Sequence, residues 1–478
     1  MNIKSIFYVL GNVLAMTGLF MLLPAAVAFG CGEYSNLRIF LLLTAGCILL
    51  SFPIIRRRAM FTRFTTKDGY VAVALSWIVM SVVGCLPFVI SGEIPFFLDA
   101  LFEIVSGFTT TGASILSDVE ALSSSMMFWR CFTHWIGGMG VLVFILTILP
   151  MAKSGSSFAL MQAESPGPVV SKLVPKLRAS ARFLYGIYLG FTVLLIILLA
   201  LGGVPLLDNL CLSFGTMGTG GFSVLNSGCA TYSPYVQWVL AIFMLIAGTN
   251  FGLYFLLLYR QWRAALRMEE VRWYYIIVFL AVVLICLNLY TSGQFTSVRE
   301  VVFQVASIIT TTGFSSTDFD LWPEFSKTIL ITLMFIGGCA GSTGGGIKVS
   351  RILIFAKTAV REVRELSQPR LIRTVRMDGK KLENRVIRGT LLFLTAYVLI
   401  FFLSLLIVTL DKVDFNTGFT AVAATLNNIG PGLGAVGPTC NFGFLSPLSK
   451  IVLIFDMLAG RLELFPLLIL FAPKTWSK

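Results

Sequence analysis

Four short polar stretches recur along the chain, and their residue types suit one kind of chemistry. Each contains a glycine that aligns among the four copies, roughly 90 to 120 residues apart, and such a period indicates internal repeats. Main-chain carbonyls from four turns around one axis can replace the water shell of a dehydrated monovalent cation. Glycine suits these turns because a Cβ atom would obstruct the torsion angles that they need. The predicted cation-binding residues are Thr110, Thr111, Gly112, Thr219, Gly220, Gly221, Thr311, Thr312, Gly313, Asn428, Ile429 and Gly430.

The four copies are not identical. The fourth has Asn427, Asn428 and Ile429 where the first and third have three threonines, and the second has Thr219 and Gly220. Coordination by main-chain carbonyls tolerates such changes of side chain. Strict fourfold symmetry is therefore not expected, and selectivity is expected to be looser than in a symmetric potassium-channel filter.

Each glycine turn lies within the same order of apolar segments, a helix, a half-span and a second helix. Half-spans of about ten residues are too short to cross a bilayer, so we expect re-entrant helices that stop at mid-membrane. Two further runs, at 6–29 and 38–55, form an opening hairpin. The first helices are predicted at 70–91, 183–202, 273–290 and 389–410, the half-spans at 98–108, 206–217, 298–310 and 415–427, and the second helices at 126–150, 234–258, 325–357 and 448–471.

Composition excludes a soluble globular chain, because 57% of the 478 residues are hydrophobic and only 12% are charged. Apolar runs near 20 residues favour membrane-spanning helices over a β-barrel. The predicted fold is an all-α polytopic membrane protein, with four pseudo-symmetric repeats of helix, re-entrant pore helix and helix around a central pore, plus two N-terminal transmembrane helices. The predicted boundaries are 1–67 for the hairpin, 68–182, 183–272 and 273–388 for repeats one to three, and 389–478 for repeat four.

Basic residues lie between the apolar runs, which explains the net charge of +13. Ten crossings put every basic loop on one side, so the positive-inside rule predicts that both termini are cytoplasmic. A nucleic-acid partner is not expected, because such a protein needs a basic face on a folded domain. The most basic segment, 348–388, is expected to dock either anionic membrane lipid or a soluble regulator.

Six glycines interrupt the second helix of the third repeat. Each interior glycine destabilises a helix by roughly 0.5 to 1 kcal/mol relative to alanine, so this helix is expected to unwind below the glycine turn. Unwinding in the third repeat alone indicates a mobile plug, and the alternative is close helix packing through small residues. Arg461 lies in the last apolar run, where it should face a cavity or pair with Glu463 or Asp456. The predicted gate residues are Gly337, Gly338, Gly341, Gly344, Gly345, Gly346, Lys348 and Arg461.

These features together resemble a known family. The glycine turns are similar to the filters of the Trk/Ktr/HKT superfamily of potassium transporters, and the bacterial TrkH branch also has motifs like residues 133–140, 337–346 and 460–463. The resemblance covers essentially the whole chain. It implies potassium uptake across a bacterial inner membrane, with Arg461 repelling cations beneath the filter until the loop moves. It also implies a homodimer and a cytosolic TrkA-type regulatory ring that binds nucleotide, with potassium as the substrate and no cofactor in this chain.

Other functions fit the sequence less well. The motif at 432–437 spells a dinucleotide fingerprint, but it follows a glycine turn and runs into Pro438 rather than a helix. Nine cysteines form no Cys-x-x-Cys pair, and His134 is the only histidine, so neither a zinc site nor an enzyme is predicted. We expect His134 to pack against the pore. The remaining alternative is a symporter coupled to sodium or protons, which would need acidic groups within the membrane.

Overall fold

The computed structural model describes residues 2–56, 65–138, 140, 177–368 and 374–476. Helices dominate these ranges, and six of them are long and apolar enough to cross a membrane. Parts of two predicted features lie outside the described residues. These are the second helix of repeat one beyond residue 138, apart from Gly140, and a short piece of the basic segment at 369–373.

The opening hairpin packs through small residues. Its first arm is split at Met21 into Ile3–Phe20 and Leu22–Gly30, which together form one candidate span, and its second arm is Tyr34–Arg56. The hydroxyl of Thr44 donates to the carbonyl of Gly18 at 3.0 Å. So close an approach of the two arms is the packing expected of small residues within a membrane.

Repeat one begins at a capping box, in which Thr65 and Asp68 exchange hydrogen bonds between side chain and main chain. Its first helix is Thr66–Ser91, its half-helix is Phe97–Phe108, and its second helix is Ser124–Gly138. Every half-helix residue from Phe102 onward is buried. The half-helix therefore lies at the centre of the molecule, not at its lipid-facing surface.

Repeat two has the same order of elements. Leu177–Leu201 and Leu206–Gly218 are its first helix and half-helix. Two segments, Pro234–Gly248 and Phe251–Leu258, make up its second helix and meet at an angle of 92°. A short helix, Trp262–Leu266, leads into repeat three.

Repeat three contains Glu269–Thr291, the half-helix Val298–Ile309, and a second helix in two parts, Glu324–Ile336 and Val349–Ser367. A 3-10 turn at Phe319–Leu321 precedes the second helix. Residues 337–348 connect the two parts without helical structure. The interruption lies at the six glycines.

A small β-hairpin follows repeat three. Arg376–Met377 pairs antiparallel with Lys380–Lys381. The two connecting residues, Asp378 and Gly379, both have positive φ, at 51° and 76°. An Asp-Gly pair is a strong signal for a two-residue hairpin turn, because both positions need φ above zero. The all-helical prediction therefore holds for the membrane part of the described chain, and this hairpin is an addition to it.

Repeat four closes the described chain. Asp414 caps its half-helix by accepting the N–H of Thr417 at 3.0 Å, and Ser446 precedes Pro447 at the start of its second helix. Its helices are Asn384–Val408, the half-helix Phe415–Leu426, Pro447–Arg461, Phe465–Leu468 and Pro473–Trp476, with 3-10 turns at Thr409–Asp411, Gly434–Val436 and Ile469–Phe471.

The prediction that only repeat three has an interrupted second helix is wrong. In repeat two the helix breaks after Gly248, and in repeat four it breaks after Arg461, where Glu463 and Leu464 have φ of 56° and 64°. The break in repeat two is stabilised by tertiary contacts, because the carbonyl of Gly248 accepts the N–H of Cys339 at 2.9 Å. An exposed polar main chain at this depth is tolerated where protein groups satisfy it.

A buried ion pair joins the half-helix of repeat one to its second helix. The Nε of Arg130 lies 2.6 Å from a carboxylate oxygen of Glu103, and the two side chains are 1% and 0% exposed. The guanidinium also stacks 3.6 Å above the ring of Phe222. Removing one partner of a buried pair leaves an uncompensated charge, which is far more damaging than losing an exposed pair.

We therefore expect Glu103→Gln to lower the free energy of unfolding by about 3 to 5 kcal/mol. Glu324→Gln is the matched control, since Glu324 pairs with Lys327 but is 87% exposed, and its loss should cost about 1 kcal/mol or less. Denaturant unfolding in detergent measures both values. Equal small effects would show that the buried pair does not stabilise the half-helix.

Candidate functional site

All four half-helices end in the same turn. In repeat one the N–H of Thr111 donates to the carbonyl of Ser106 at 2.9 Å, and the N–H of Thr110 donates to that of Gly107 at 3.1 Å. This pair of bonds defines a Schellman cap, which satisfies the last helical carbonyls. The other three repeats have the equivalent bonds, each written here from N–H donor to carbonyl acceptor: Thr219 to Thr216 and Gly220 to Gly215 in repeat two, Thr311 to Ile308 and Thr312 to Ser307 in repeat three, and Asn428 to Thr425 and Ile429 to Ala424 in repeat four.

The cap places one residue of each turn in the left-handed region. Thr110, Thr219 and Thr311 have φ of 56°, 56° and 58°, and Asn428 has φ of 56°. Asparagine adopts this conformation readily, whereas a β-branched threonine does so only under strain. Each strained residue costs about 1 to 3 kcal/mol, and such residues persist where the surrounding structure fixes them, often at functional sites.

The aligned glycines connect the four turns into a ring. Gly112, Gly221, Gly313 and Gly430 all have positive φ, from 73° to 98°. A Cβ atom on any of them would collide with the main-chain carbonyl oxygen of the next turn. The four contacts are Gly112 with Gly220, Gly221 with Thr312, Gly313 with Ile429, and Gly430 with Thr111.

This order runs from repeat one to two, three, four and back to one. A closed cycle of contacts requires that the four turns surround one axis. The oxygen involved always belongs to the residue just before the aligned glycine of its own turn. Four chemically equivalent carbonyls are thus brought to the same level, although the sequence supplies threonine, glycine, threonine and isoleucine there.

The carbonyl oxygens of the ring accept no hydrogen bond from any of the described residues. This holds for the twelve residues predicted to bind a cation. Buried carbonyls are nearly always paired, so an unpaired set marks a place for water or an ion. Rings of main-chain carbonyls are how proteins hold dehydrated alkali cations, and the oxygen donors of this ring fit a monovalent cation.

Side chains of the turns form a shell behind the ring. The hydroxyls of Thr109 and Thr111 lie 2.8 Å apart, and Asn428 donates to the hydroxyl of Thr111 and to the carbonyl of Met457, both at 2.9 Å. The hydroxyls of Thr310 and Thr312 form a second threonine pair, 2.7 Å apart. The main chain of the fourth turn is the same as in the others, since Asn428 has the φ of 56° that Thr110 and Thr219 also have.

The interrupted helix of repeat three packs directly against this shell. The N–H of Gly345 donates to the hydroxyl of Thr311 at 2.5 Å, and the N–H of Gly346 donates to the carbonyl of Asn427 at 3.0 Å. Thr343 donates through both its N–H and its hydroxyl to the carbonyl of Ala247 in repeat two. Loop 337–348 therefore contacts repeats two, three and four.

Arg461 joins the loop to repeat one. Its guanidinium donates to the carbonyl of Thr343 at 2.8 Å, and to those of Gly137 and Gly138 at 2.5 and 3.0 Å. The positive charge of Arg461 thus lies between the loop and the end of the second helix of repeat one. The ammonium group of Lys348 donates to the carbonyl of Gly344.

A cavity of about 120 Å³ lies beside these groups. Glycines of the loop and of the adjoining helices line much of it, together with Lys348, Arg461 and Glu463. Arg351 forms an ion pair with Glu463 and stacks 4.1 Å above the ring of Phe393. The charged groups around the cavity therefore have protein partners.

The structure brings the two predicted sets of residues together. The twelve residues predicted to bind a cation lie in the four turns of the ring. Loop 337–348, which Arg461 contacts, contains Gly337, Gly338, Gly341, Gly344, Gly345, Gly346 and Lys348. Glu270, which also contacts this loop, is not among the residues predicted from the sequence. Its carboxylate accepts the N–H groups of Ala340 and Ser350, at 2.6 and 3.1 Å, so it ties the loop to the first turn of the helix that follows. The only signal was an acidic residue in the first turn of a helix.

Other kinds of site are not supported within the described ranges. No group of three or more His, Cys, Asp or Glu residues is placed to hold a metal there. The nine cysteines are free thiols. The dinucleotide-like motif at 432–437 contains a 3-10 turn, Gly434–Val436, and no strand leads into it.

Comparisons with known proteins identify relatives over the whole length. A family described as TrkH, cation transport protein, matches residues 37–478. The Trk system potassium uptake protein TrkH of Salmonella typhimurium is 38% identical over 493 residues, and that of Escherichia coli K12 is 37% identical over 492 residues. Both alignments cover 100% of each chain. The crystal structure of the potassium transporter TrkH from Vibrio parahaemolyticus superposes with a TM-score of 0.87 at 34% identity, again over 100% of each chain.

The ring predicts a specific effect of alanine at its glycines. Gly221→Ala adds a Cβ against the carbonyl of Thr312, whereas Gly293→Ala adds one in open space at nearly the same φ, 72° against 73°. Backbone strain is thus matched, and only the first change displaces a ring oxygen.

We expect potassium chloride, compared with choline chloride, to raise the melting temperature of the unmodified protein and of Gly293→Ala. Gly221→Ala should lose this rise, because a ligand stabilises a protein only through its binding to the folded state. Thermal unfolding in detergent measures the difference. Equal stabilisation of all three proteins would mean that the cation binds elsewhere.

Proposed function

The chain belongs to the TrkH family of cation transport proteins, and from this premise we propose that it carries potassium across a bacterial inner membrane through the ring of four glycine turns. The observation that carries the proposal is the closed cycle of glycine-to-carbonyl contacts between successive repeats. Only an axis shared by all four repeats gives such a cycle. Unpaired carbonyls around that axis are suited to a dehydrated cation.

Selectivity would come from the main chain. The carbonyls of Thr111, Gly220, Thr312 and Ile429 face the neighbouring glycines at one level, and their own residues differ in side chain. The negative ends of the half-helix dipoles point toward the same ring and favour a cation there. Potassium is the cation named for the relatives in Salmonella and Escherichia coli, which supports potassium as the substrate.

The loop and Arg461 would form the closed gate. Loop 337–348 is hydrogen-bonded to the shell behind the ring, and the guanidinium of Arg461 lies between Thr343 and the end of the second helix of repeat one. A guanidinium repels an entering cation at short range, more strongly in a site of low dielectric constant. Opening would require the loop and Arg461 to separate.

A regulator would supply the force that separates them. The relatives are named as parts of a Trk system, which supports a multi-component assembly. We propose a homodimer with a cytosolic nucleotide-binding ring of the TrkA type, docked on the basic segment 348–388, with both termini cytoplasmic. Nucleotide would bind to that ring, and this chain would need no cofactor.

Cation-coupled symport is the second candidate, and one buried acid favours it. Asp456 is fully buried in the second helix of repeat four, where one carboxylate oxygen accepts the hydroxyl of Ser404 at 2.7 Å and the other has no partner among the described residues. Glu463, the other acid of this region, is already paired with Arg351. A symporter needs an acid that exchanges a proton or sodium during transport.

The gate predicts a gain of flux. Arg461→Ala removes the charge and its bonds to Thr343, Gly137 and Gly138, so rubidium uptake into liposomes without a regulator should rise about tenfold, the effect of some 1.4 kcal/mol. Arg272→Ala, at an exposed arginine, is the control and should leave uptake unchanged. Unchanged uptake in Arg461→Ala would remove this residue from the gate.

Electrical recording separates the two candidate functions. A channel should reverse at the potassium equilibrium potential whatever the sodium or proton gradient, and Asp456→Asn should conduct like the unmodified protein. A symporter should reverse at a potential that shifts with the second gradient, and Asp456→Asn should abolish that shift. No potassium current or flux under any gradient, in an intact preparation with its regulator, would contradict both.

A further inference from the structure

His134 bridges two repeats at the ring, and the function proposed above gives it no role. It lies in the second helix of repeat one and is fully buried. Its Nδ1 lies 2.8 Å from the carbonyl oxygen of Gly107, in the half-helix of repeat one. Its Nε2 lies 3.2 Å from the main-chain nitrogen of Phe222, the residue after the ring glycine of repeat two.

These two contacts fix the protonation of the imidazole. A main-chain N–H can only donate, so Nε2 must accept the N–H of Phe222 without a proton of its own. Nδ1 then carries the single proton and donates it to the carbonyl of Gly107. His134 is therefore a neutral imidazole with both nitrogens bonded to main chain, one on each side of the interface between repeats one and two.

The imidazole also occupies the space that a side chain at Gly220 would fill. Gly220 corresponds to Thr111, Thr312 and Ile429 in the other turns, which all carry side chains. A Cβ on Gly220 would overlap Nδ1 and Cγ of His134 and lie 2.5 Å from its Cε1. The ring of His134 further packs 4.2 Å from that of Phe222, centre to centre.

Repeats one and three hold their turns differently. There the hydroxyl of Thr111 or Thr312 pairs with that of Thr109 or Thr310, at the end of the same half-helix. Gly220 has no side chain with which to make this bond. The support that two other repeats obtain from their own threonines comes, in repeat two, from a histidine of repeat one.

We propose that His134 is a positioning residue for the ring: it substitutes for the side chain missing at Gly220, fixes the carbonyl of Gly220, and thereby sets discrimination between potassium and sodium. The inference rests on the proposed cation-conducting function of the ring. His134 and Gly220 form one unit, since the histidine needs the glycine for space and the glycine needs the histidine for support.

Three substitutions separate the parts of this unit. His134→Phe keeps an aromatic ring of similar volume but loses both hydrogen bonds. His134→Gln can keep both, because its amide offers one donor and one acceptor group. Trp135→Phe is the control on the adjacent residue, since among the described residues its indole N–H donates to Thr192, at 3.1 Å, and not to a residue of the four turns.

The measurement is the potassium-to-sodium permeability ratio, from reversal potentials in planar bilayers. We expect His134→Phe to lower the ratio about tenfold, equivalent to about 1.4 kcal/mol, because both hydrogen bonds that hold the turn of repeat two are lost. His134→Gln and Trp135→Phe should stay within about twofold of the unmodified protein. A ratio in His134→Phe equal to that of the unmodified protein would overturn the inference.

A single and a double substitution at Gly220 and His134 test their coupling even where His134→Phe does not fold. Gly220→Thr alone should abolish rubidium uptake, because the new side chain meets the imidazole. Adding His134→Ala should restore uptake, since it clears that space for the threonine. A tolerated Gly220→Thr, or a double variant no more active than it, would contradict the coupling.

Different results would contradict the proposed function and the role of His134. An unmodified protein that does not discriminate potassium from sodium, or passes neither, would contradict the proposed function itself. A selective unmodified protein, with equal selectivity in His134→Phe and no rescue in the double variant, would contradict only the role of His134.

Discussion

The close approach of a main-chain carbonyl oxygen to the glycine of the preceding turn is the contact on which the rest of the structure depends. It occurs at all four junctions and needs glycine each time, because any Cβ would displace the oxygen. The half-helices position the main chain for this contact, since the Schellman cap at the end of each one turns the chain at the same point. Strained threonines at Thr110, Thr219 and Thr311 are the cost of that geometry.

The groups that hold the ring also hold the loop beneath it. The hydroxyl of Thr311 accepts from Gly345 of the loop, and the carbonyl of Asn427 accepts from Gly346. A movement of the loop must therefore break bonds in the shell that positions the ring. These contacts would couple the proposed gate to the proposed filter over a short range. Glu270 adds a further link, since it accepts N–H groups from Ala340 of the loop and from Ser350 just after it.

Much of the fold was predictable, because half-spans, glycine periodicity and loop charge are properties of local sequence. The predicted half-span 98–108 compares with Phe97–Phe108 in the structure, and membership of the predicted family is confirmed. The breaks after Gly248 and Arg461 were not predicted, since tertiary partners such as Cys339 replace the helical bonds. The β-hairpin did have a local signal, Asp378-Gly379. That the ring binds potassium, and that the loop and Arg461 gate it, stay predictions.

The central claim is that four carbonyls from successive repeats hold one alkali cation on their common axis. Anomalous scattering from a crystal grown in rubidium tests this most directly. We expect a peak on the axis at the level of the carbonyls of Thr111, Gly220, Thr312 and Ile429, and we expect Gly221→Ala to lose it. An ordered ring without a rubidium peak, or a peak held only by side-chain carboxylates elsewhere, would contradict it.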